Sequence, residues 1–188
     1  MHLVQFYSED EFLLDTLAQY IGGTLAQSGA GIVIATPEHR TGLMRRLLER
    51  GIPNSSLDGR CIFADASEVL GRLMVDGMPN AARFASETHE LLIRAQGVST
   101  GPIAIYGEMV ALLWAQGQRE AAIELERFWN ELGNRESFTL RCGYPLRAFS
   151  RESEMDAVMQ ICSEHTHVIP PEEYSGKSKS ELRGLLSL

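Results

Sequence analysis

No lysine precedes Lys177. Lys177 and Lys179 are the only two in the chain, so upstream of them all side-chain positive charge apart from histidine is arginine. A phosphate-binding loop of the conventional kind needs a lysine for the β- and γ-phosphates and glycines for close backbone approach. The turn after the first apolar run has neither: it reads Tyr7-Ser8-Glu9-Asp10-Glu11. A Walker mechanism is excluded, and three carboxylates at a helix N-terminus leave ATP no attractive seat. Cysteine is scarce too. Cys61, Cys142 and Cys162 are odd in number, far apart and without a CxxC pair, which excludes a disulfide framework and reads as buried thiols in a reducing compartment. No apolar run is long enough to cross a bilayer. The start, Met1 to Tyr7 followed by acids, lacks the basic opening and long apolar stretch of a signal peptide. The expected location is therefore the cytoplasm. A formal net charge of −8 opposes direct contact with nucleic acid or anionic membrane.

Short apolar runs alternate with longer amphipathic stretches. This pattern predicts an α/β fold built on a single, mainly parallel sheet of about five strands with helices on both faces. The strands are read near 2–7, 31–36, 60–64, 102–106 and 137–142, with 102–106 central because its apolar residues do not alternate with polar ones. Helices are read near 9–27, 37–50, 66–75, 79–96, 108–116, 118–133 and 151–165. Ser8 with Glu11 fits a capping box, Thr36-Pro37 an N-cap before a first-turn proline, and Asp65 with Glu68 a second box. Gly51 is a C-terminal stop. One domain over 1–170 is expected, followed by a polar tail, 171–188, with a short helix through Leu182, Leu185 and Leu186.

Glycine pairs at Gly22-Gly23 and Gly29-Ala30-Gly31 precede a strand, where a dinucleotide fingerprint would follow one. Cys162, His165 and His167 are the best metal candidates, but they fall short of a full ligand set, so no metal is assigned and a polar helix end is the reading. Glu108 directly follows an apolar strand and lands on the sheet's C-terminal rim, as a structural acceptor or a ligand contact. Trp114, Trp129, Tyr144 and Phe149 read individually as core, or jointly as a cavity lining.

Several segments taken together resemble the MEDS family, the sensory domain named from methanogens, methylotrophs and the dichloromethane-responsive repressor. They are His2 to Tyr7, Ile32 to His39, Asp76-Gly77-Met78-Pro79, Arg83-Phe84, Tyr106 to Val110 with Leu113-Trp114, Leu125 to Asn130, Phe138 to Pro145, and Cys162 to His165. The resemblance runs over about residues 1–170. It implies a RecA/KaiC-like fold without nucleotide motifs or cofactor, and a non-catalytic sensor of small, hydrocarbon-like or one-carbon molecules. It implies as partners that ligand and a signalling protein, a histidine kinase or transcription regulator, with a homodimer left open. After Pro171 no such output domain is recognisable, so a stand-alone sensor or a fragment of a longer one is expected. Ligands of open α/β sheets sit outside the strand C-termini. The residues placed there are Tyr7, Thr36, His39, Glu108 and Tyr144, with His165 closing over them from the last helix. Two other readings stay open: an interaction adaptor without ligand, and an enzyme using Glu108 with His39 or His165 as acid and base.

Overall fold

The computed structural model describes residues 1–57, 59–149 and 155–172. The proposed helix in 171–188 and the start of the helix read near 151–165 lie outside the described residues. In chain order the first half runs β1 (His2–Tyr7), α1 (Asp10–Ala26), β2 (Ala30–Ala35), α2 (Pro37–Glu49), a short α3 (Asn54–Leu57), β3 (Cys61–Asp65) and α4 (Ala66–Leu73). Then come a two-residue hairpin pair, β4 (Met74–Val75) and β5 (Met78–Pro79), and α5 (Ala81–Val98). The second half is β6 (Ile103–Gly107), α6 (Met109–Ala115), α7 (Arg119–Gly133), β7 (Thr139–Pro145), a 3-10 turn at Leu146–Phe149, α8 (Met155–Ser163) and β8 (His167–Ile169).

Six strands form one parallel sheet in the order β3-β2-β6-β7-β1-β8. All five expected strands are present. The sixth, β8, pairs with β1 at Leu3–Gln5 and was too short and polar-flanked to read from the sequence. β6 is central and wholly buried, as is β2, because helices cover both faces. Val33, Ala35 and Tyr106 face α1 and α2, where Leu13, Leu17, Ile21, Leu43 and Leu47 close one core. Ile32, Ile34, Ile105 and Leu140 face the other way, into a core with Leu73, Phe84, Leu92, Trp129 and Ile161. The helix after β2 therefore lies on one face and the helix after β6 on the other. These two strands are neighbours, so their C-terminal ends part at a crevice.

Two capping expectations stand. Thr36 Oγ1 accepts from the His39 amide with Pro37 in the first turn, and Asp65 accepts from the Ser67 and Glu68 amides. The helix after β3 stops at Leu73 rather than 75, because Asp76 and Gly77 (φ +50° and +81°) make the tight turn of the β4–β5 hairpin. The Ser8 capping box is corrected. Glu9 is the N-cap of α1 and its side chain makes no capping bond. The carboxylate of Glu172 instead accepts from the Ser8 amide at 3.1 Å and the Glu9 amide at 2.7 Å. An anion does occupy this helix start, and the chain supplies it. Desolvation raises the Glu172 carboxyl, but hydrogen bonds from its own amide and from the Ser8 and Glu9 amides together outweigh it and hold the group below its ordinary range. Glu172→Gln is expected to speed amide exchange at Ser8 and Glu9 while leaving the α5 amides unchanged; equal exchange rates in both proteins would contradict the contact.

Among the described residues no helix is long and apolar enough to cross a membrane.

Candidate functional site

At the crevice between the ends of β2 and β6 opens a pocket of about 690 Å³. Its polar floor is one buried carboxylate. Glu108 is 3% exposed and every donor around it is aimed at its two oxygens. Oε2 accepts from the Thr36 amide at 2.7 Å; Oε1 accepts from the Tyr106 hydroxyl at 2.8 Å and from His39 Nδ1. The sequence arranges this simply. The β2 run ends at Ala35, the Thr36-Pro37 turn starts α2 and places His39 in its first turn, and Glu108 is the first residue past β6. Its own amide donates to the Ile34 carbonyl, which ties the two strand ends together at 3.0 Å.

His39 is held from both sides. Its Nε2 lies 3.4 Å from Asp10 Oδ1, in the first turn of α1, so both ring nitrogens face carboxylates. Burial alone would lower the pKa of His39. The hydrogen bond and charge of Glu108, joined by Asp10, outweigh it, and the net shift is upward from 6.5. The two carboxylates thus favour the imidazolium over the neutral ring. Asp10 is half exposed and Glu108 is not, so the Nε2 contact is the displaceable one. Tyr7 stands edge-on to His39 with ring centroids 6.2 Å apart. Its phenol stays protonated, because burial and then the charges of Glu108 and Asp10 push its pKa up. Ala111, Leu112, Trp114 and Ala115 of α6 form an apolar wall opposite, and Arg119 and Arg147 stand at the rim.

A pH dependence follows. The folded pKa of His39 lies above its unfolded value, so its ion pair contributes fully below pH about 6.5 and is lost as pH rises through the folded pKa. Urea midpoints of the wild type should fall across that window relative to His39→Gln, which lacks the titration; parallel curves would contradict the pairing.

A family model, MEDS (MEthanogen/methylotroph, DcmR Sensory domain), matches residues 1–166. The chain belongs to the MEDS family. Comparison with curated proteins gives no match. A sensory role therefore attaches to this domain through its family.

The MEDS fold brings together Tyr7, Thr36, His39 and Glu108, all of which line the pocket. It does not bring Tyr144 or His165 to them. Tyr144 is the sixth of the seven residues of β7 and shares its face with Leu140 and Cys142, so it points into the α7 core. Its hydroxyl donates to Glu126 Oε1 at 2.9 Å. His165 is part of the same cluster: its Nε2 lies 3.4 Å from Glu126 Oε1, and its ring packs against His2 at a tilt of 49° with centroids 4.0 Å apart. The other two suggested metal ligands are elsewhere. Cys162 is half-buried against the core, and His167 sits exposed on the outer strand β8. Cys61 and Cys142 are buried free thiols, and burial pushes Cys61 up to about 12.

Sequence reading missed Tyr106, Asp10 and Glu126. Glu126 carried a signal. On α7 the buried residues Ala122, Leu125, Glu126 and Trp129 share one stripe, and a carboxylate on the apolar face of a helix requires buried partners.

Proposed function

We propose that this MEDS domain senses a small, weakly polar organic ligand in the pocket between the ends of β2 and β6, and passes the signal through α1 to its C-terminal segment. The observation that carries this is the two-sided hold on His39. Glu108 has its acceptors filled by Thr36, Tyr106 and His39, so it acts as a positioning residue for the imidazole. The ligand-facing donor is then Nε2–H of His39, which an oxygen of the ligand takes over from the exposed Asp10 carboxylate. The neutral Tyr7 phenol offers a second hydrogen bond, and the Leu112 and Trp114 wall accepts a hydrocarbon part. A volume near 690 Å³ suits a ligand well above one-carbon size.

Asp10 also supplies the route outward. It lies in the first turn of α1, next to the Ser8 and Glu9 amides that hold Glu172. Release of Asp10 from His39 would shift that turn and loosen its hold on Glu172, a change that a signalling partner such as a kinase or transcription regulator could read.

An acid–base enzyme is the competing reading, favoured by a histidine–carboxylate contact in an open cleft. Two features speak for sensing instead. Both imidazole nitrogens face carboxylates, which stabilises the protonated ring and weakens it as a general base. The described pocket lining also contains no serine, cysteine or lysine nucleophile.

The test is an NMR titration of the labelled protein with short-chain alcohols, ketones and carboxylates. Binding should shift the Thr36, Glu108 and Leu112 amides together with Ser8 and Glu9. His39→Gln should weaken it by about 5- to 150-fold, the equivalent of one buried hydrogen bond. Shifts confined to another surface, or unchanged affinity in His39→Gln, would refute the assignment.

A further inference from the structure

On the α7 face of the sheet, four side chains from four distant parts of the chain converge on one point. His2 opens β1, Cys142 lies mid-way along β7, Glu126 is on the buried stripe of α7, and His165 sits between α8 and β8. One ligand-type atom from each lies within 4.8 Å of all the others. His2 Nε2 is 3.2 Å from Glu126 Oε2 and 3.3 Å from Cys142 Sγ, and that Sγ is 3.3 Å from Glu126 Oε2. His165 Nε2 is 3.4 Å from the other Glu126 oxygen. Zinc bonds of 2.0–2.3 Å in a tetrahedron place neighbouring ligand atoms about 3.3 to 3.7 Å apart, so the three edges among His2 Nε2, Cys142 Sγ and Glu126 Oε2 are already near their bound lengths, with His165 Nε2 within 4.8 Å of each.

The surrounding hydrogen bonds set the two imidazoles as ligands. Asn130 Nδ2 donates to the Glu164 carbonyl at 2.9 Å and to its carboxylate at 3.2 Å, which turns Asn130 Oδ1 toward His2 Nδ1 at 2.9 Å. His165 Nδ1 faces the Ile161 carbonyl at 2.7 Å. In both rings Nδ1 is therefore the donor to these acceptors, and Nε2 faces the cluster with its lone pair free to bind a metal in the neutral ring; acceptors behind the ring orient metal-binding histidines in this way. The His165 side chain is 0% exposed, and its Nε2 is a buried nitrogen without a hydrogen-bond partner. A lone pair buried against a carboxylate is a poor arrangement unless a proton or a metal cation stands between them.

We propose that His2 Nε2, Glu126, Cys142 Sγ and His165 Nε2 bind one divalent transition-metal ion, zinc by preference. Thiolate, imidazole and carboxylate are each ligands that zinc takes, and four of them from the protein fill a tetrahedron. On binding, the Cys142 S–H proton leaves to solvent and a sulfur–metal bond replaces it. The thiolate and carboxylate then cancel the dication's charge, which suits a site this buried. Tyr144 remains as a hydroxyl donor to Glu126 Oε1. The ion fastens the β8 end of the chain to β1, β7 and α7. It stands on the α7 face of the sheet, independently of the ligand pocket.

The test is a cobalt(II) titration of the full chain, stripped with chelator and kept reduced. One equivalent should produce a thiolate-to-cobalt charge-transfer band with tetrahedral d–d absorption, both removed by one equivalent of zinc. Cys61→Ala/Cys162→Ala, which leaves Cys142 as the sole thiol, should keep the band. Cys142→Ser should lose it. Asn130→Ala, which removes only the His2 support, should weaken binding about 10- to 100-fold. Zinc should raise the melting temperature of the wild type and of the double variant. No band in the folded wild type, or a band lost in the double variant, would overturn the proposal whether or not Cys142→Ser folds.

Discussion

Glu108→Ala is expected to destabilise the domain by about 3–5 kcal/mol, the cost of removing one member of a buried, hydrogen-bonded charge pair. Three groups lose their acceptor at once: the Thr36 amide, the Tyr106 hydroxyl and the His39 imidazolium. Tyr106 has no compensating route to water, being fully buried, and burial followed by the Glu108 charge keeps its phenol firmly protonated. At roughly 2–4 °C per kcal/mol for a chain of this size, the melting temperature should fall by roughly 6–20 °C. Glu108→Gln keeps the shape and one carbonyl acceptor, so its loss should be smaller, about 1–3 kcal/mol. Urea unfolding of both variants at pH 6 checks this. Equal losses for alanine and glutamine would mean that the cavity, and not the carboxylate, carries the effect.

Trp129→Ala should cost a similar amount for a different reason. Trp129 is 2% exposed and stands edge-on to Phe84 at 4.9 Å and to Phe138 at 6.3 Å, joining α7 to α5 and to the segment leading into β7. Truncating a buried aromatic of this size costs about 3–5 kcal/mol through lost transfer energy and the cavity left behind. The same stripe of α7 carries Glu126, and the next residue, Asn130, supports His2. Loosening the helix should therefore also disturb the histidine cluster. Chemical denaturation gives the free energy, and the His2 and His165 ring signals in NMR should broaden or shift with it. A loss under 1 kcal/mol with unperturbed ring signals would show that α7 is held elsewhere.

The parallel sheet was legible because its strands are short apolar runs, and two of them, β2 and β3, run straight into helix start signals at Thr36-Pro37 and Asp65. The β4–β5 hairpin was not read: Asp76-Gly77 marks its turn, but Met74 and Val75 were taken as the end of the helix before it. β8 was not legible: His167-Val168-Ile169 is three residues long, and only its pairing with β1 makes it a strand. The pocket residues from β1, β2 and β6 followed directly from strand ends. Tyr144 did not, because β7 runs on to Pro145 and the side-chain alternation along it turns Tyr144 to the α7 face. Tyr106 was read only as a strand residue, although two positions before Glu108 it meets the carboxylate from beneath. Glu172 was the least accessible of all. Its partners, the Ser8 and Glu9 amides, are backbone groups 163 or more residues away, and backbone donors leave no mark in a side-chain sequence.

The central claim is that the crevice between β2 and β6 holds the sensed molecule. Native mass spectrometry of the protein purified from its own host tests it most directly, with Ala115→Trp as the comparison. That substitution fills the pocket from the apolar wall without touching Glu108 or His39. The account predicts a retained small molecule on the wild type that is absent from Ala115→Trp at equal melting temperature. A wild type that carries nothing, or a variant that carries the same mass in the same proportion, would contradict it.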